Sequence, residues 1–169
     1  MSRFIPKRNS GYSNLLPKTG QTTSYNPSGG DDGDNEAGQT QPVTRFEAVT
    51  INGKELIKDY HTGLMWYKKA YYNAEYMLDE CVTDVDNSAL AGFYDWRVPN
   101  VLELLSIWDF ETQSIRAEFD LSACIDLMLL VTSTYDSVYG DYITWDVWTQ
   151  TLVTIGYGTM GHTMMCRNF

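Results

Sequence analysis

Apolar positions in this chain follow two periods. Ala70, Ala74, Met77, Leu78 and Cys81 recur at i, i+4, i+7, i+8 and i+11, which predicts a helix over 70–82. Val101, Leu104, Leu105 and Trp108 stand at i, i+3, i+4 and i+7, which predicts a second over 100–109. The start of this second helix is marked. Pro99 can precede a helix but not sit inside one, Asn100 suits the cap, and the Glu103 carboxylate can reach back to the cap amide. Elsewhere the period shortens to two. Phe46–Ile51 and Lys54–Lys58 flank Asn52-Gly53, the pair a type I′ hairpin turn favours. His61-Thr62-Gly63 reads as the next turn and Leu64-Met65-Trp66 as a short buried strand. Leu127–Val131 reads as a fully buried strand. Ile143, Trp145 and Val147 then form the inner face of a half-buried one, with Thr151–Tyr157 as its hairpin partner. Thr163–Arg167 is expected to close the sheet. Strands at the C-terminal end with helices before them predict an α+β fold, two helices flanking a mostly antiparallel twisted sheet.

The stretch Gly92–Phe110 is expected to be the centre of the packing. Tyr94-Asp95-Trp96-Arg97 sets a large aromatic beside opposite charges, which suits a buried crossing oriented by ion pairs. Residues 1–44 read differently. Polar residues, Gly and Pro dominate there, so the segment is expected to be an extended N-terminal arm before a globular domain over 45–169.

Charge narrows the partners. The formal net charge is −10 and the pI near 4.5, a surface that repels phosphate backbones and anionic lipid, so neither nucleic acid nor membrane is an expected partner. Against that acidic body, Arg3, Lys7, Arg8 and Lys18 give the arm a basic start. It therefore suits docking on an acidic neighbouring subunit, and a homo-oligomer is expected. Three cysteines (Cys81, Cys124, Cys166) without CxxC spacing make neither a disulfide scaffold nor a zinc site. No apolar run resembles a secretory leader or a membrane span, and the LPKTG at 16–20 lacks the context a sorting signal needs.

Several short stretches, taken in order, resemble one family. DWRVPNVLELLSIWDF is similar to the DWRLP-xx-EL-xx-L-x-D signature of the Lcl C-terminal domain family, named for a collagen-like bacterial adhesin. LPKTGQTTSY with DDGD resembles the family's N-terminal leader. RF at 45–46 and DYHTGLMW at 59–66 resemble its opening, and VTST at 131–134 and MCR at 165–167 stand where it has WSST and RCVR. The chain departs from the pattern at Val131, Met165 and Asn168. The resemblance implies a C-type-lectin-like fold, with Trp66, Asp95, Trp96, Arg97, Pro99, Glu103 and Arg167 defining it, and binding rather than catalysis. In such folds the ligand face is formed by the irregular loops near the last strands, here Ser133–Tyr142 and Gly156–His162. Tyr135, Asp136, Tyr139, Asp141, Tyr142 and Tyr157 are then the candidate ligand residues, because Tyr offers large amphipathic contact at low entropic cost. A binding module without a leader suits a bacteriophage virion surface protein, whether receptor-binding, fibre or decoration, meeting a host glycan or protein. A purely structural capsid or tail subunit and a glycan-binding bacterial adhesin are the alternatives.

Other chemistry is thinner. Asp31, Asp32, Asp34 and Glu36 supply the closely spaced hard oxygens calcium takes, with Gly33 permitting a tight turn, but not the EF-hand spacing. Asp84, Asp86, Ser88 and Asp95 copy part of that spacing without its Gly. Neither His61 nor His162 has a recognisable Ser or Cys partner, so no enzyme is expected.

Overall fold

The computed structural model describes residues 18–36, 38–40, 42–71, 84–122, 129–154 and 161–169. The helix expected over 70–82 therefore lies almost wholly outside the described residues, as do Cys81, Cys124, Tyr157 and residues 1–17.

The described chain is mixed helix and sheet, mostly strands, with short helices α1 (Asp32–Asn35) and α2 (Val101–Ser106). Strands β1 (Phe46–Ile51) and β2 (Lys54–Asp59) pair with Ile51 opposite Lys54. That leaves only Asn52 and Gly53 to turn, both at positive φ, 48° and 74°, the type I′ geometry their identities predict. Strand β3 (Leu64–Tyr67) joins β2, and the last strand, β10 (Cys166–Asn168), returns to its far side.

In place of the single expected sheet, the described residues form two four-stranded sheets and a ribbon. The first runs β1-β2-β3-β10. The ribbon pairs β4 (Trp108–Asp109) with β5 (Ser114–Ile115). The second sheet contains β6 (Leu129–Asp136), β7 (Asp141–Asp146), β8 (Thr151–Thr154) and β9 (His162–Thr163), in the order β8-β7-β6-β9. Among the described strands, every pairing is antiparallel except β6 with β9. The closing segment 163–167 thus serves both sheets. Thr163 Oγ1 donates to the Val131 carbonyl in the second sheet, and Thr163 exchanges both backbone bonds with Tyr71. Cys166 exchanges both with Arg97 while pairing with Trp66 in the first. Met164 and Met165 between them are fully buried.

The core has two parts because β3 is covered on both faces. Leu64 and Trp66 point into one cluster with Leu104, Ile107, Trp108, Leu130 and Trp145, whereas Met65 joins Leu56, Trp96, Val98 and Met165 in the other. Double coverage explains an uninterrupted Leu-Met-Trp run where alternation would mark a half-exposed strand.

Helix α2 is shorter than its stripe. Asn100 caps it, accepting from the Leu102 and Glu103 amides, and Glu103 completes the capping box. Ile107 leaves the helix, so Trp108 reaches the core from β4, its ring centroid 5.0 Å from that of Trp145. Period 3.6 and a turn-then-strand place this residue at the same depth, so the pattern alone overruns the helix end.

Candidate functional site

The Asp95–Glu103 corner is an internal frame. Pro99 leads into the Asn100 cap, and Trp96 is buried with its indole N–H donated to the Leu90 carbonyl at 2.8 Å. On either side of it the charges are paired. Arg97 and Glu103 form a two-pronged bridge, 2.7 Å at each contact, and Arg167 grips Asp95 at 2.7 and 3.1 Å while lying 4.0 Å over the Phe93 ring. Burial opposes the charge on Glu103, but the Arg97 guanidinium and the Asn100 amide hold its carboxyl below the ordinary range. The Arg167 bond does the same for Asp95. Carboxylates bonded in this way orient the backbone and have little to give a ligand.

A second frame pair escaped the sequence reading. Buried Arg45 grips buried Asp59 at 2.9 and 2.8 Å and donates to the Ser106 carbonyl at 2.8 Å, tying the first sheet to α2. Asp59 also accepts from the His61 amide and Thr62 hydroxyl, closing the turn that Gly63 completes at φ 73°. A charge facing inward within an apolar hairpin was the available signal.

The expected irregular loop at Ser133–Tyr142 is instead the end of a hairpin. Strands β6 and β7 continue to Asp136 and Asp141 after a register shift between Val131 and Tyr135, leaving residues 137–140 as the turn. Tyr and Thr favour pleated backbone, and Asp136 builds the turn itself by accepting from the Val138 amide at 2.8 Å. Asp136 thus forms the turn through its Oδ1. Tyr135 and Tyr142 face each other across the strands, edge to face at 5.4 Å. Tyr135 is 56% exposed, Val138 83% and Tyr139 75%. The hairpin brings together Tyr135, Asp136, Tyr139, Asp141 and Tyr142, whereas Tyr157 is among the residues not described.

A cleft of about 430 Å³ lies beside α2, lined by Leu64, Leu102, Leu105, Trp108 and Phe110 with Lys18 and Thr19 of the arm. Residues 18–36 pack on their own domain. The Thr22 and Thr23 amides donate to Glu111, Lys18 pairs with Glu36 at 2.7 Å, and a Cβ on Gly20 would stand 2.9 Å from Arg116.

The acidic cluster at 31–36 spends its oxygens locally. Asp31 caps α1 and accepts from the Tyr25 and Asn26 amides, Asp32 pairs with the Thr19 hydroxyl, Asp34 accepts from Gly30, and Glu36 holds Lys18. Asp84 is engaged by the Tyr71 hydroxyl and Asp95 by Arg167. Among the described residues no three His, Cys, Asp or Glu side chains are grouped to hold a metal ion, and no described helix is long and apolar enough to cross a membrane. Burial pushes the Cys166 thiol up to about 12 and pushes both His61 and His162 down. Such a thiol stays protonated at neutral pH and is a poor nucleophile.

A family model described as the Lcl C-terminal domain matches residues 55–167, more than half of the chain. No curated protein and no solved structure matches.

Proposed function

The chain belongs to the Lcl C-terminal domain family, and from that premise we propose that it is a non-enzymatic, C-type-lectin-like adhesion module whose contact face is the β6–β7 hairpin tip. One observation carries the reading. Tyr135 and Tyr139 are exposed on a hairpin whose turn is already held by Asp136, so large amphipathic rings are presented with little left to order on binding. Residues 133–142 contain neither Lys nor Arg. The tip therefore favours a neutral glycan or a neutral-to-basic protein surface over a polyanion.

The setting we infer is the surface of a bacteriophage virion, as a receptor-binding, fibre or decoration component. A basic start at Arg3, Lys7 and Arg8 and a net charge of −10 suit an arm that reaches an acidic neighbouring subunit. No cofactor is needed. A purely structural subunit is the second reading, favoured by Trp148, 75% exposed, and Leu152 on edge strand β8, which offer apolar contact to a neighbour.

Binding of labelled full chain to intact bacterial cells and to a glycan array tests the choice. The Tyr135→Ala/Tyr139→Ala variant is expected to lose binding at least tenfold while melting like the wild type. Binding retained in that variant but lost in Trp148→Ala would transfer the contact face to the β7–β8 turn.

A further inference from the structure

Leu102 is 73% exposed and Phe110 41%, and both line the cleft beside α2 with Leu64, Leu105 and Trp108. The cleft measures about 430 Å³, within the roughly 300–1,000 Å³ of small-molecule sites. Its walls are held in place by contacts of their own. Strand β3 is bonded on both sides, Asn100 caps α2, and Trp108 packs edge to face on Trp145. On the arm side, the Lys18 amide donates to the Gln39 carbonyl, and Thr22 and Thr23 hang on Glu111. A ligand entering here has little to order.

The rim decides which class of molecule fits. Its two charged groups are already neutralised, Lys18 by Glu36 at 2.7 Å and Glu103 by both prongs of Arg97. Its hydroxyls already donate, Thr62 to Asp59, Thr19 to Asp32 and Ser106 to the Glu103 carbonyl. Asn100 Oδ1 accepts the Leu102 and Glu103 amides. Among the described residues, this leaves the Asn100 NH2 and the Asn168 amide as the side-chain groups open to a ligand, and both are uncharged. An ion would lose hydration against the apolar walls and meet no unpaired counter-charge. An apolar body gains by the same transfer.

We propose that the cleft beside α2 binds a small uncharged molecule, an aromatic or acyl body carrying a hydroxyl or amide that meets Asn100 or Asn168. No residue of 133–142 lines the cleft, so this site stands apart from the hairpin tip and does not depend on the tip being the contact face.

The test uses the full chain with N-phenyl-1-naphthylamine, an uncharged probe that brightens in apolar surroundings. Saturable binding of one probe per chain is expected. Octanol should displace it at least tenfold more effectively than octanoate or octylammonium at neutral pH. Leu102→Asp should weaken probe binding at least tenfold without lowering the melting temperature, since an exposed first-turn position tolerates an acid. Phe110→Ser should weaken it likewise, whereas Leu102→Met and the Tyr135→Ala/Tyr139→Ala variant should bind like the wild type. Absence of saturable binding, binding unchanged in both Leu102→Asp and Phe110→Ser, or binding lost in the tip variant would overturn the site. Octanoate displacing the probe as well as octanol would overturn the uncharged class.

Discussion

Two stretches of this molecule carry nearly the same chemistry and do opposite things with it. The corner reads Tyr94-Asp95-Trp96-Arg97 and the hairpin end reads Tyr135-Asp136-Ser137-Val138-Tyr139. In the corner the aromatic that matters is Trp96, buried, and the carboxylates of Asp95 and Glu103 are each gripped by an arginine. At the hairpin Asp136 holds its own turn through one carboxylate oxygen, residues 133–142 contain no arginine, and the Tyr135 and Tyr139 rings remain outside. Trp96 is therefore scaffold because the core takes its ring in, whereas Tyr94, beside the arginine-held Asp95, stays outside like Tyr135 and Tyr139. A held acid does not bury the ring beside it; a core does.

The largest break should come from the frame. Arg45→Ala leaves the Asp59 carboxylate buried without its cation, and about 3–5 kcal/mol of stability should be lost in denaturant melts. Trp96→Ala empties the second core and should cost a similar 3–5 kcal/mol or so. Asn100→Ala, which removes the α2 cap, should cost about 1 kcal/mol by the same measurement.

Acid sharpens the contrast. Burial works against the Asp59 charge, but Arg45 and the His61 and Thr62 donors hold its carboxyl below the ordinary range, as Arg97 does for Glu103. A depressed native pKa stabilises the fold above the unfolded value of about 4, and that contribution is lost as pH falls through the native value. The melting temperature should therefore fall below about pH 4, and less steeply in Arg45→Ala than in the wild type. The smallest effect belongs to the tip. Tyr139→Ala should move stability by no more than about 0.5 kcal/mol.

Where local chemistry decides, the sequence was readable. Asn52-Gly53 dictates its turn, Asn100 and Glu103 form the capping box their spacing announces, and Leu64-Met65-Trp66 is a buried strand. Long-range pairing was harder. Nothing local shows that segment 163–167 divides between two sheets, or that Arg45 finds Asp59. Ser133–Tyr142 was expected to be irregular because the resembled fold has loops near its last strands, yet Asp136 and Gly140 build a turn that holds Tyr139, and Tyr135 and Tyr142 extend the strands. The acidic run at 31–36 suggested a cation, but its oxygens bond to neighbouring amides, a hydroxyl and a lysine.

Hydrogen exchange of the full chain, free and bound to intact host cell envelopes, separates frame from contact face most directly. Slowed exchange should be confined to residues 133–142, with 94–108 unchanged. Slowing centred on 94–108, with the hairpin end unaffected, would contradict the assignment of recognition to the tip.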